Sequence, residues 1–369
     1  VQDAEKKQLV SLLNELSKAV EELLLAGLTA ASKSTIERLD VSFKEASRMK
    51  LLRLGSTLRI ANEEIARFTG GSAQFSARRL AFFLGRAWLL ASAMRRAIDE
   101  GDQAAFGRLQ ATLPTQPVEE LTFVTLGVAK RVVPGAFASF DFRLRSIGSA
   151  GPVADREALI WSCVFPLRKD LDLPSEAFLH LPQKQKFKPS ILLEKKLIHA
   201  TRCAVSQQPS GAARLTLSDA STLTSGEAFA DWASVMNWNI EGAAERLQQH
   251  QPTPIDLEIE LQEEVVVSDW QPGERRETED GYDLLPIATK LLPFEMRLDR
   301  GPSGVPVSGV MEKIAQKKRR PPIYGLAHYE SCRIVLQPLS TLGKDGIEYL
   351  TVSPDKISQA ELVKAMKFT

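Results

Sequence analysis

Near Pro114 and Pro117 the hydrophobic period of this chain changes from about 3.6 residues to about 2, and proline at both positions stops a helix from crossing. That change divides what each half can fold into. On the N-terminal side Leu9, Leu12, Leu13, Leu16, Val20, Leu23 and Leu24 form one stripe, predicting a helix from about Asp3 to Ala26, with Gly27 as its cap. Ser34 and Glu37 fit a capping box that opens a second run. Leu51, Leu54, Leu58, Ala61, Ile65 and Phe68 continue it, unbroken or with one interruption, until Gly70-Gly71. A third helix is expected from Ser76 to Asp99, with Leu80, Phe83, Leu84, Ala87, Trp88, Ala91 and Met94 apolar, and a short fourth one capped by Asp102. The heptad stretch is too short for a free coiled coil, so these helices read as a four-helix antiparallel bundle over residues 1–113.

Beyond the prolines, Leu121 to Val133 and Ala138 to Ile147 flank Pro134-Gly135 as a hairpin, with Phe140, Phe142 and Leu144 alternating with Asp141, Arg143 and Arg145. Ala158 to Phe165 reads as a buried strand and Ala213 to Leu217 as a weaker one. Gly226 to Gln249 reads as a helical passage. Further strands are expected at Ile255 to Leu261, Val265 to Val267, Arg333 to Leu339 and Ile347 to Val352, with a turn from Gly343 to Gly346. Ser358 and Glu361 form a capping box for a short C-terminal helix. The expected class is α+β: a helical bundle, a β-rich domain over 114–225, a helical connector over 226–254, and a second β-rich domain over 255–369. Each β-rich segment reads as a small barrel or sandwich.

A chain of 369 residues exceeds one ordinary hydrophobic core, and 44% hydrophobic with 25% charged residues is a globular composition. A net charge of +1 leaves no global field for steering toward nucleic acid or membrane, so electrostatic recognition has to come from local patches. Cys163, Cys203 and Cys332 are too few and too far apart for a disulfide framework or a four-ligand zinc site. With no membrane-length apolar run, a cytoplasmic protein without membrane insertion is expected.

Catalytic patterns are not formed. Gly301 to Gly304 and Gly343 to Gly346 lack the pattern of glycines followed by a lysine that a phosphate loop needs, and Gly148 to Gly151 is not a serine-hydrolase elbow. Ser353 to Lys356 matches S-x-x-K only formally and reads as a turn. His180, His199, His250 and His328 are unpaired at helical spacing. The acids between Glu258 and Asp283 alternate with apolar residues as on the wet face of a strand. No catalytic, cofactor-binding or metal-ligating residue is assigned, no cofactor is implied, and a non-enzymatic protein is the expectation.

Two basic segments are candidate binding surfaces. In an extended segment Lys184, Lys186 and Lys188 alternate around Phe187, which offers a ring for base stacking. Lys317, Lys318, Arg319 and Arg320 precede two prolines. Together they suit a nucleic-acid backbone or an acidic protein surface, and solubilising charge beside loops is the simpler alternative. Arg48, Arg53, Arg59, Arg67, Arg78, Arg79, Arg86, Arg95 and Arg96 make a third feature, either a docking surface or one paired internally with Glu45, Glu63, Glu64 and Asp99. Trp161, Trp232, Trp238 and Trp270 are expected as core or interface anchors.

The segments Gly27 to Leu39, Glu45 to Gly55 and Leu80 to Leu90, with a weaker likeness at Leu181 to Lys188, resemble a bacterial family. Its genes cluster with those for MoxR-type AAA ATPases, von Willebrand factor A domain proteins and SWIM zinc-finger proteins. The resemblance covers mainly the helical region, and this chain has neither the zinc-finger pattern nor the nucleotide motifs of those neighbours. It implies an accessory or scaffold protein with a protein partner, an AAA ATPase or von Willebrand factor A protein. The alternative is a nucleic-acid-binding protein built on β-barrels and basic loops.

Overall fold

The computed structural model describes residues 3–30, 32–73, 75–110, 114–133, 137–167, 173–182, 187–207, 212–237, 239–249, 255, 262–278, 282–290, 292–299, 307–330, 333–344, 346–352 and 357–366. The chain forms two compact units, Val1–Leu113 with Pro252–Asp256, and Pro114–Gln251 with Leu257–Thr369. The class is α+β, a helical region followed by mixed sheets.

The helical unit contains α1 (Asp3–Ala26), α2 (Lys33–Arg48), α3 (Leu52–Thr69), α4 (Ala77–Glu100) and α5 (Gln103–Gln110). The second predicted run is therefore two helices. Its interruption is a tight turn in which Lys50 adopts a φ of 57° and Leu51 N–H bonds back to Ala46 O at 2.9 Å. The cap of α2 is Ser32 rather than Ser34, since its hydroxyl accepts the Thr35 N–H at 3.1 Å and the helix has begun at Lys33. Leu13, Leu16, Val20, Leu39, Leu54, Leu58, Leu84, Leu90 and Met94 meet in one core. Glu64 is fully buried and ties α3 to α4, accepting from Arg67 and from the Ser76 N–H at 3.0 Å. Arg86 of α4 donates to the Ile255 carbonyl at 2.8 Å, so Ile255 belongs to a turn in this unit instead of a strand. The rest of the expected strand at Ile255 to Leu261 lies outside the described residues, as do Pro134-Gly135, Gly301 to Gly304 and Ser353 to Lys356.

The second unit is two barrels. The first sheet runs β1 (Gln116–Val133), β2 (Phe137–Ser146), β3 (Ala158–Pro166), β4 (Lys196–Ser206), β5 (Ala213–Thr216) and β6 (Thr222–Ala228). Its order is β1-β2-β3-β5-β4-β6, and a further β1–β4 pairing closes the ring. β3 and β5 are parallel, and β5 and β6 follow one another along β4 as an interrupted fifth strand. First strand beside second and fourth, with third parallel to fifth, is the Greek-key connectivity of an oligonucleotide/oligosaccharide-binding (OB) barrel. Phe123, Phe140, Phe142, Trp161 and Phe165 fill its interior. Gly226 lies in β6, so the helical passage starts later than expected, with α6 (Trp232–Val235) and α7 (Ile240–Gln249).

The second sheet repeats the scheme with β7 (Glu263–Val267), β8 (Gln271–Pro272), β9 (Arg276–Glu277), β10 (Tyr282–Ala288), β11 (Pro293–Asp299), β12 (Ile323–Glu330), β13 (Arg333–Gly343) and β14 (Gly346–Tyr349). β7 pairs with β12 and, after a kink where Asp269 has a φ of 52°, β8 pairs with β10. β11 and β13 are parallel, and α8 (Val307–Ala315) connects the third strand to the fourth. In the first barrel the 3-10 turns Ser175–His180 and Pro189–Leu193 occupy that position. Trp270, Phe294, Met296, Met311 and Leu336 form the second interior. The terminal helix α9 (Gln359–Met366) carries the expected capping box, with Ser358 N–H on Glu361 at 2.7 Å and Glu361 N–H on Ser358 Oγ at 3.3 Å. Its Ala365 is buried in the first barrel's core.

A fourth apolar cluster joins the barrels: Val124 and Leu126 of β1, Trp232 and Val235 of α6, Tyr324, Leu326, Leu339 and Ile347. The register of β1 shifts between Thr125 and Gly127, and Gly127 is needed there because a Cβ would come within 2.7 Å of Leu339 Cβ. Among the described residues, hydrogen bonds cross the seam onto β1 carbonyls from Ser340 to Leu126, Tyr349 to Thr125 (3.1 Å) and Thr351 to Val128. Beside them Arg145 and Arg143 share Glu264, at 2.8 and 3.8 Å.

Candidate functional site

The sequence candidates are distributed over both barrels. Lys184 and Lys186 lie outside the described residues. Lys188 is exposed at the start of the turn Pro189–Leu193 on the first barrel. Phe187 does not stand free for stacking. It is half-buried, packs on that barrel's core, and its ring centroid lies 5.5 Å from that of Trp161. On the second barrel Lys317, Lys318 and Arg319 are exposed just past α8, and Lys313 is exposed one turn earlier. Arg320 is drawn into the fold instead. Its Nε caps the helix on Ala315 O at 2.9 Å, it donates to Gln271 at 3.1 Å, and its guanidinium lies 5.7 Å from the Trp270 ring. Cations after a helix C-terminus also favour the helix dipole, so part of this charge is structural.

In the helical unit most of the predicted arginines are spent internally. Arg48 pairs with Glu45 at 2.9 Å, Arg59 with Glu63 at 2.8 Å, Arg96 with Glu100 at 2.7 Å and Arg95 with Asp99 at 3.7 Å. Arg95, Arg96, Asp99, Glu100, Glu21 and Trp88 help line a shallow depression of about 470 Å³ between α1 and α4. The Trp88 indole donates to Glu21 at 2.7 Å there. Leu24, Leu25, Val41, Leu52 and Phe82 are exposed on the same unit.

Residue pairing on the second barrel assembles a site that the sequence did not single out. Arg276 lies opposite Leu284, Leu284 opposite Arg297, and Glu295 opposite both Pro286 and Val335. Because strand side chains alternate, Arg276, Tyr282, Glu295, Arg297 and Arg333 share the outer face of β9, β10, β11 and β13. The Arg297 guanidinium lies 4.2 Å from the centre of the Tyr282 ring, a cation–π stack. Arg276 and Arg333 bind opposite oxygens of Glu295, Arg333 at 2.5 Å. Leu284 and Val335 are buried on this face although neither belongs to the barrel interior. Three arginines against one glutamate give these four residues a net charge of +2. The outward alternation of Glu295 and Arg297 in PFEMRLD was the available signal. It could not say that Arg276 and Arg333, far away in sequence, flank the same strand.

Cys163 and Cys203 are buried, and burial raises both thiols, with Asp141 adding to the effect at Cys163. Among the described residues no group of three or more His, Cys, Asp or Glu is placed to hold a metal. His199 Nδ1 bonds Thr122 at 3.0 Å and His328 is buried, while His250 lies outside the described residues, as do Cys332 and Trp238. Trp161, Trp232 and Trp270 are the anchors expected. Among the described residues no helix is long and apolar enough to cross a membrane.

No family model matches this chain, and no curated protein matches it. Solved structures align with it at low similarity. One, described as structural mimicry for functional antagonism, is 10% identical with a TM-score of 0.30, covering 60% of this chain and 90% of that chain. A murine DNA-binding protein bound with double-stranded DNA is 11% identical with a TM-score of 0.27, covering 65% of this chain and 99% of that one. Tetrameric p202 HIN2 is 6% identical with a TM-score of 0.26, over 65% and 96% of the two chains. These are among the proteins the chain is similar to, at scores too low for their ligands to be carried across.

Proposed function

We propose that this chain is a non-enzymatic nucleic-acid-binding protein whose contact surface is the outer face of its second barrel. The observation that carries it is the Arg297–Tyr282 stack flanked by Arg276 and Arg333, an aromatic ring and planar cations on one exposed sheet. Base stacking on such a ring is worth about 1–3 kcal/mol per base, and guanidinium groups suit phosphate oxygens. The exposed cations Lys313, Lys317, Lys318 and Arg319 on the same barrel extend the electrostatic contact. OB connectivity is compatible with this use and with many others, so the residues support the reading and the fold alone does not. Fluorescence anisotropy of a labelled oligodeoxythymidylate should show salt-dependent binding that Arg297→Ala together with Tyr282→Ala weakens at least tenfold. Binding by the wild type that both substitutions leave intact would move the contact elsewhere, and no binding at low salt would end the proposal.

The exposed Leu24, Leu25, Val41, Leu52 and Phe82 favour a second reading, in which the helical unit docks a protein. That the partner is an AAA ATPase or von Willebrand factor A protein rests on the sequence resemblance alone. Purification of the tagged protein from its native cell, with and without nuclease, separates the two readings. A defined protein partner that survives nuclease and is lost in Leu25→Asp supports docking, whereas partners lost with nuclease argue against it.

A further inference from the structure

We infer that Glu295 is a built-in competitor for phosphate at this face, so that it sets both the affinity and the preference for a polyanion over a single anion. This rests on the nucleic-acid reading above and assigns one residue a role within it. Glu295 lies on β11, with β9 and β10 on one side and β13 on the other. Its two oxygens are taken by arginines arriving from opposite sides, Oε1 by Arg276 and Oε2 by Arg333. A pair of guanidinium groups converging on a carboxylate is also the arrangement that grips a phosphate, because both ligands offer two oxygens to planar donors.

The three partners differ in freedom. The Glu295 side chain is 19% exposed on a paired strand, whereas Arg276 and Arg333 are 55% and 39% exposed on long stems. The cationic ends of both pairs stand in solvent, where an ion pair gains little. The arginines can therefore turn outward to a phosphate while the carboxylate remains behind them. A lone phosphate competes poorly with a tethered glutamate. A strand that also stacks on Tyr282 and engages Arg297 adds contacts that Glu295 does not oppose. Removing the carboxylate charge takes the four charged residues from +2 to +3 and frees both guanidinium groups.

The test is Glu295→Gln in the full chain, measured with the same labelled oligodeoxythymidylate across a salt series, with melting temperature as a check on folding and Glu295→Ala as a second variant. The expected result is several-fold tighter binding, with a log–log salt slope steeper by about 0.7 for each additional phosphate engaged. The gain should disappear when Arg276→Ala and Arg333→Ala are added. Binding by Glu295→Gln where the wild type shows none at low salt ends the nucleic-acid reading, and the inference that rests on it falls with it. If the wild type binds and Glu295→Gln binds equally or more weakly, Glu295 positions the arginines and the inference is overturned while the nucleic-acid reading stands. A gain that persists without the two arginines also overturns it, as a nonspecific charge effect. If neither protein binds, both the inference and the reading fall.

Discussion

Cys163 and Cys203 show how far burial alone sets the chemistry of a residue. Both lie in the first barrel's core, where a thiolate would lose its hydration, so both thiols are held above their ordinary value. In the folded protein they should resist iodoacetamide at mildly alkaline pH and react only on unfolding, as peptide mapping of alkylated sites would show. Early labelling of either cysteine in the native protein would contradict this. Because the folded values are raised, their stabilising contribution is complete below the unfolded value of about 8.5 and declines as pH rises above it. The sequence revealed that these cysteines were isolated but not that they were buried. Residue-scale reading failed similarly at Phe187, whose neighbour Trp161 is distant in sequence, and at Ser34, where Ser32 was an equally good cap two residues earlier. Glu295 and Arg297 could be placed on the outside of a strand, yet their partners could not.

Elements were more legible than contacts. The helices α1, α3 and α4 follow apolar stripes that could be counted, and the Ser358–Glu361 capping box is formed as the spacing required. Interruptions were harder to place. The turn through Lys50 is the break that the sequence left open between α2 and α3, where a single left-handed residue redirects the axis without altering composition. In the barrels, the gap between β5 and β6 breaks the fifth strand of the first ring, and the kink at Asp269 breaks the first strand of the second. Tight approach explains two glycines, of which the sequence marked only Gly346, as part of a turn. Gly127 makes room for Leu339 and Tyr324, and Gly346, with a φ of 101°, lies where a Cβ would meet the Trp232 indole at 3.0 Å.

At the scale of the whole molecule, the seam between the barrels decides whether they act as one body. Arg143 is almost completely buried, and Glu264 is its acidic partner and that of Arg145. Tyr324 beside them is fully buried, and burial first, then the Glu264 charge, holds its phenol well above the ordinary value. Removing one member of a buried ion pair leaves the other charge stranded. Glu264→Gln should therefore lower stability by about 3 kcal/mol, read from urea unfolding, while joint replacement of Arg143, Arg145 and Glu264 by methionine should cost much less. A Glu264→Gln protein that unfolds at the wild-type midpoint would show that the apolar cluster alone holds the seam. By itself the sequence determined what local periodicity and capping encode: the helical bundle, the change to strands after Pro114, and two β-rich segments of similar style. Only the tertiary structure decided the barrel closures, the sharing of Glu264 across the seam and the gathering of Arg276, Tyr282, Glu295, Arg297 and Arg333 on one face. The physical reason is that strand neighbours are chosen by nonlocal hydrogen bonding and burial, so residues far apart in the chain become adjacent without leaving a local mark.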